Sequence, residues 1–257
     1  MDSLNDIFSL KEKCAVVIGG KGKIGVPIAK ALAIAGAKVI VCSRSTSAER
    51  SELNDLFGED LDVSGKALDQ SKEDQVLEFL EELSNQELFP SIFVNCGVDR
   101  PMKKHLADSY ENWDKSMEVN SRGLFVTSRA FANAMARNGG GSIINVASIY
   151  GLVAPDPEIY EGTEMFTEPD YPFHKGGMIM FSKYMASVYA SQKVRFNCIA
   201  PGGVFNDQPE PFLSRYVKKV PLGRMAKAED FMGIAVFLAS DSSQYITGTT
   251  IPIDGGC

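Results

Sequence analysis

The sequence predicts an α/β protein built on one doubly wound parallel sheet with helices on both faces. Three observations carry this. Short, continuously apolar runs recur along the chain, helix-length segments separate them, and no linker, repeat or shift of composition divides the 257 residues. Strands that are apolar on both faces belong to sheets covered on both sides, and right-handed crossovers then stack helices above and below.

The elements follow in order. Ala15-Val16-Val17-Ile18 is an apolar run of strand length ending in glycines. Residues 24–36 repeat apolar positions at helical spacing (Ile24, Ile28, Leu32, Ile34), with Gly36 as a C-terminal stop. Lys38 to Cys42 reads as a second strand, followed by Ile92 to Val94, Ser142 to Val146 and Val194 to Ile199. Met232 to Ala239 is the longest apolar run and reads as buried helix. At this length one sizeable core, and so one domain over residues 1–257, is expected.

Composition excludes several classes. A content of 44% hydrophobic and 23% charged residues is ordinary for a globular chain. A formal charge of −7 and a pI near 5.0 disfavour a nucleic-acid or anionic-membrane binder, both of which need a basic face. No run approaches the roughly 20 apolar residues that span a bilayer. The start Met1-Asp2-Ser3-Leu4-Asn5-Asp6 is acidic and no secretory apolar core follows, so a cytoplasmic location is expected. Five scattered cysteines (Cys14, Cys42, Cys96, Cys198, Cys257) read as free thiols, and two distant histidines (His105, His174) make a metal site an unexpected feature.

Two stretches carry chemistry. After the first strand stands Gly19-Gly20-Lys21-Gly22-Lys23-Ile24-Gly25, a turn that can bring bare backbone against a pyrophosphate at a helix N-terminus. Lys21 and Lys23 either add charge there or are solvated. Later, Tyr171 and Lys175 lie four residues apart, on one face of a helix. A free tyrosine, with pKa about 10, is a poor acid or base at neutrality, and a neighbouring ammonium pulls that value toward the working range.

With Asn145-Val146-Ala147-Ser148 before it, this arrangement resembles the classical short-chain dehydrogenase/reductase family. The resemblance implies a Rossmann-like fold and an NAD(P)-dependent oxidoreductase that interconverts a secondary alcohol and a ketone. It implies that Tyr171 is the acid/base and that Ser148 positions the substrate oxygen. Lys175 lowers the tyrosine pKa and binds the nicotinamide ribose, and Asn120 holds a water of the proton relay. On the cofactor side it implies Gly19, Gly22, Lys23, Ile24 and Gly25 at the pyrophosphate, and Ser43 and Arg44 at the adenosine ribose. Asp69 and Gln70 fall near the adenine, Asn95, Cys96 and Gly97 in the turn after Ile92 to Val94, and Pro201, Gly202, Val204 and Asn206 beside the carboxamide. Ile18 replaces the family's Thr, Lys23 its middle Gly, Cys96 its second Asn and Asn206 its Thr. Cys96 reads as a small buried residue rather than a reactive thiol, and His174 as a helix-flank residue rather than a second base. Ser43-Arg44, in place of an acidic residue, favours NADP(H) over NAD(H), because paired guanidinium donors suit a 2′-phosphate.

Between Ser148 and Tyr171 lie 22 residues, with Asp156, Glu158, Glu161, Glu164, Glu168 and Asp170 among them. This is either a solvated acidic loop or a wall that repels anionic substrates. Residues 148–162 resemble flagellin-modification dehydrogenases, which implies a sugar or amino-sugar derivative of surface-glycan biosynthesis as substrate. The segments about 149–170 and 205–225 fall at the family's substrate lid, and Arg215, Lys218 and Lys219 leave a phosphate or carboxylate open. Two other readings stand beside it: a 3-oxoacyl thioester reductase or polyol dehydrogenase, and a catalytically silent nucleotide-sensing or partner subunit. By resemblance the chain is expected to form a homodimer or homotetramer.

Overall fold

The computed structural model describes residues 3–45 and 50–257; Met1 and Asp2, which open the acidic N-terminus, lie outside the described residues. Seven strands form one parallel sheet: β1 (Cys14–Ile18), β2 (Lys38–Ser43), β3 (Val63–Ala67), β4 (Pro90–Asn95), β5 (Gly141–Val146), β6 (Val194–Pro201) and β7 (Thr250–Ile253). Their spatial order is β3-β2-β1-β4-β5-β6-β7, so the winding reverses between β1 and β4. That reversal opens a crevice at the carboxyl ends of the strands, where ligands of open α/β sheets bind.

The nine α-helices among the described residues are α1 (Leu4–Phe8), α2 (Gly25–Ile34), α3 (Arg50–Phe57), α4 (Glu73–Asn85), α5 (Tyr110–Met117), α6 (Gly123–Arg137), α7 (Asp170–Tyr189), α8 (Phe212–Lys218) and α9 (Met232–Ala239). Side chains of a strand alternate between faces, and β1 shows it directly. Ala15 and Val17 enter a core with Ile28 and Leu32 of α2, Leu53 and Phe57 of α3, and Ala235 and Leu238 of α9. Cys14, Val16 and Ile18 enter the opposite core with Phe79 of α4, Phe131 of α6 and Met185 of α7. The five expected strands are all present, each one to three residues longer than its apolar run.

β3 and β7 were not expected. Both are edge strands, half-exposed, and read Val-Ser-Gly-Lys-Ala and Thr-Ile-Pro-Ile. A strand that buries little carries little apolar signal, and Pro252, which cannot donate to a ladder, is tolerated at an edge. The expected helix at Met232–Ala239 forms, but only Ala235, Leu238 and Ala239 are buried; its other apolar side chains are half-covered, apart from Gly233. All five cysteines are free thiols.

In the second core Phe93 and Phe131 stack with ring centroids 4.0 Å apart and both are fully buried. Phe131→Ala should therefore cost about 3–5 kcal/mol of stability. Urea or thermal unfolding checks this, and a loss below about 1 kcal/mol would contradict such tight packing.

Candidate active site

A cleft of about 430 Å³ runs along the carboxyl ends of the strands, from the glycine turn after β1 to the segments flanking α8. Its middle is formed by Ser148, Tyr171 and Lys175. Ser148 ends the extended segment after β5, and its hydroxyl accepts a hydrogen bond from the Tyr150 N–H at 3.1 Å. Tyr171 is the second residue of α7 and Lys175 follows one turn later. The Lys175 ammonium is buried and donates to the Val146 carbonyl at 2.6 Å. It lies 5.7 Å from the centroid of the Tyr171 ring.

These positions set the ionisation of the tyrosine. Burial raises the Tyr171 pKa, but the charges of Lys175 and Arg100 and hydrogen bonding from Ser148 and Arg100 outweigh it, so the value falls below 10. Lys175 is in turn pushed below its ordinary value by burial, which the tyrosine partly offsets. His174 is buried, not on an exposed flank, with its ring edge-on to Tyr171 at 5.4 Å. Burial and the charges of Lys175 and Arg100 depress it to about 3, so it stays neutral and is no base for this pH range.

Asn120 sits apart from the cleft. It lies buried on one wide (π) turn, Glu118–Arg122, between α5 and α6. Its side-chain oxygen accepts from the Asp99 N–H at 2.8 Å, and its amide donates to the Asp99 carbonyl at 2.7 Å and Ser116 Oγ at 2.9 Å. Both amide hydrogens are thereby engaged with the protein, which leaves the amide a positioning group for the loop after β4. Ser116 Oγ also donates to the buried carboxylate of Asp170, at the first position of α7. One chain of hydrogen bonds thus joins the helix that carries Tyr171 to the loop that carries Arg100.

At the cofactor end, Gly19, Gly22, Lys23, Ile24 and Gly25 line the cleft together with Cys96, Pro201, Gly202, Val204 and Asn206. The glycines are required by contact. Gly19 has φ +71°, and a Cβ on Gly25 would stand 2.1 Å from the Gly19 carbonyl oxygen. Among the described residues no protein acceptor meets the N–H groups of Lys23 and Ile24, so they are free to receive an anion at the start of α2. The residues present therefore fit the pyrophosphate of a dinucleotide. Lys23 reaches across to the Asn206 side chain, whereas Lys21 is paired with Glu52.

The remaining cofactor-side residues lie outside the lining. Ser43 ends β2, and the exposed Arg44 guanidinium pairs with Asp99 at 3.4 Å. Asp69 accepts from the Ser71 N–H and hydroxyl, closing the turn before α4. Gln70 is buried and donates to the Val119 carbonyl at 3.0 Å, while a Cβ on Gly97 would meet its side-chain oxygen at 2.6 Å. It is a packing bridge. Asn95 is buried and holds the turn by accepting from the Gly97 N–H. Burial pushes the Cys96 thiol up to about 12, so it carries no reactive thiolate.

The cleft also contains Tyr150, Tyr160, Thr167, Phe212 and Tyr216, all within the segments expected as the lid, and Arg100, which sequence reasoning missed. Tyr150 and Tyr160 share a hydroxyl contact of 2.8 Å, and Tyr160 reaches Thr167 Oγ1 at 2.7 Å. Ile159 packs with Phe212, Tyr216, Val220 and Met225 in a small core of their own. Lys219 pairs with Asp156, and Arg215 donates to the carbonyls of Glu158 and Glu161. Of the six acidic residues before Tyr171 only Glu168 lines the cleft, so the loop is not an acidic wall around the site.

The chain is similar to proteins whose chemistry is known. The family model described as enoyl-(acyl carrier protein) reductase matches residues 20–257. A 2-dehydro-3-deoxy-D-gluconate 5-dehydrogenase of Bacillus subtilis is 32% identical over 100% of this chain and 98% of its own length. A 3-oxoacyl-[acyl-carrier-protein] reductase of Chlamydia muridarum is 33% identical over 96% of this chain and 98% of its own. Among solved structures, a short-chain dehydrogenase of Leptospira borgpetersenii with bound NAD+ superposes with a TM-score of 0.87 at 30% identity, covering 100% of this chain and 96% of that one. A gluconate 5-dehydrogenase of Burkholderia cenocepacia in complex with NADP and tartrate gives a TM-score of 0.89 at 26% identity, covering 99% and 98%. The chain is thus an NAD(P)-dependent oxidoreductase acting on CH–OH groups, and it belongs to the classical short-chain dehydrogenase/reductase family.

Proposed function

We propose that this enzyme interconverts a secondary alcohol and a ketone on a sugar-derived small molecule, with NADP(H) as the favoured cofactor. The observation that carries the reaction is the meeting of Ser148, Tyr171 and Lys175 in one cleft with a tyrosine pKa drawn below 10. The nicotinamide, when bound, supplies or accepts the hydride on the reacting carbon. Tyr171 Oη gives its proton to the carbonyl oxygen during reduction and takes it from the hydroxyl during oxidation. Ser148 holds that oxygen as charge develops on it. Lys175 keeps the phenol ionisable, and the free N–H groups of Lys23 and Ile24 hold the pyrophosphate.

The sugar reading rests on the far end of the cleft. The linked hydroxyls of Tyr150, Tyr160 and Thr167 offer partners for several substrate hydroxyls, and Phe212 and Tyr216 offer ring faces. The gluconate-related names of two relatives agree with it. A second reading, reduction of a 3-oxoacyl thioester, is favoured by the acyl-carrier reductase relative. The segments 149–170 and 205–225, joined by their small core, are assigned as the substrate lid. Arg44 at the end of β2 is assigned to a 2′-phosphate, for which it would exchange its long contact with Asp99.

A homo-oligomer is part of the same proposal. Phe173, Met180, Tyr184 and Val188 form an exposed apolar stripe along α7, next to Phe125 of α6. No helix among the described residues is long and apolar enough to cross a membrane, so the stripe is not read as a span.

Tyr171→Phe should keep cofactor affinity, measured by nicotinamide fluorescence, and lower turnover by about 10²–10⁴-fold; turnover within threefold of wild type would refute the acid/base assignment. Alcohol oxidation needs the phenolate, so its rate should rise with pH to a midpoint below 10, and ketone reduction should decline above the same midpoint. Lys175→Met should move any residual limb upward. Arg44→Ala should weaken NADP(H) about tenfold or more and NAD(H) little, as expected for one lost charge-assisted contact; equal effects would assign the residue elsewhere. Sedimentation velocity should give a dimer or tetramer, and Met180→Glu with Tyr184→Glu should shift it toward monomer.

A further inference from the structure

Arg100 stands on the loop after β4 and lines the cleft beside the reacting tyrosine. Its guanidinium carbon lies 4.2 Å from the centroid of the Tyr171 ring. Other cations of the loops are engaged: Lys21 pairs with Glu52, Arg44 with Asp99, Lys219 with Asp156 and Arg224 with Asp230, while Lys23 of the same cleft reaches the Asn206 side chain. Arg100 forms no ion pair with a carboxylate among the described residues. Nor does Lys175, the second cation at the same ring, which donates one hydrogen bond to the Val146 carbonyl.

Two cations therefore lie at one phenol, and neither is paired with a carboxylate among the described residues. Their mutual repulsion is visible in the Lys175 ammonium, which Arg100 pushes further down, after burial, despite the opposing effect of Tyr171. Lys175 is buried, whereas Arg100 is exposed and carries a fork of donors. A guanidinium resting on a ring face directs its N–H groups sideways, in the plane that suits a carboxylate. The same cleft holds the linked hydroxyls of Tyr150, Tyr160 and Thr167.

We infer that Arg100 is the specificity-determining residue of this site and binds a carboxylate carried close to the reacting carbon. The substrate is then a polyhydroxy acid, or its keto form, rather than a neutral polyol. This rests on the redox reading of Tyr171 and deepens it. The oxidised bond sits between Tyr171 and Ser148, the carboxylate lies against Arg100, and the remaining hydroxyls extend toward the tyrosine pair.

The test compares kcat/KM of the purified enzyme with NADP+ or NAD+ for aldonic acids, the matching neutral alditols and the matching sugar phosphates. It is run with wild type, Arg100→Met and Arg100→Lys, each over a pH series. Wild type should favour the acids over the alditols by about 100-fold, the worth of a bidentate charged contact. Arg100→Met should erase most of that ratio, chiefly through KM, and Arg100→Lys should restore part of it. An acid-to-alditol ratio unchanged by Arg100→Met would overturn the inference and reduce Arg100 to a modulator of Tyr171, visible as a shifted pH limb for every substrate alike. Preference for phosphates, for alditols, or no turnover of any acid would also overturn it. Alditol turnover that Tyr171→Phe abolishes would leave the redox assignment standing while removing this one; turnover indifferent to Tyr171→Phe would remove both.

Discussion

A buried ammonium organises this molecule. Lys175 lies in the low-dielectric seam between α7 and the end of β5, where burial disfavours its charge, and its bond to the Val146 carbonyl offsets part of that cost. That contact, with Met178, Ile179, Met185 and Ala186 in the sheet cores, seats α7 against the sheet. Together they set the rotation of the helix, which places Tyr171 one turn earlier over the cleft. The approach is close enough that a Cβ on Gly151 would stand 2.7 Å from the Lys175 backbone. The serine segment and the tyrosine helix are thus clamped together, and the tyrosine's ionisation is a consequence of the clamp.

A second tether converges on the same helix. Asp170, Ser116 and Asn120 carry a line of hydrogen bonds to the backbone of Asp99, next to Arg100. Buried polar chains of this kind are costly when broken and rigid when complete. The start of α7 is therefore pinned twice, by Lys175 to β5 and by Asp170 to Ser116 of α5.

What the sequence made legible follows from how locally each feature is encoded. The central strands announce themselves because both faces are buried; β3 and β7 do not, since each has an open edge and half-exposed side chains. The glycine turn and the Ser148, Tyr171, Lys175 spacing are written in short motifs, and the structure brings these residues to one cleft. Arg100 could not be read that way. Its place over Tyr171 depends on the path of a loop 71 residues earlier in the chain, held by Asn120 on a wide turn that leaves no periodic trace. The acidic stretch left two readings open for a related reason: charge density in sequence does not say which way carboxylates face. Asp170 is buried against Ser116 and Asp156 is neutralised by Lys219.

The small core of Ile159, Phe212, Tyr216, Val220 and Met225 shares no residue with the two cores that cover the sheet. Substitutions in groups without shared partners act on stability nearly independently. The protein therefore divides its sequence into two ledgers. One, in the sheet cores, keeps the catalytic clamp in register; the other, around α8, shapes what the clamp acts on. Selection can rewrite the second while leaving the first almost untouched, so one framework can descend into enzymes for different alcohols without passing through unfolded ancestors.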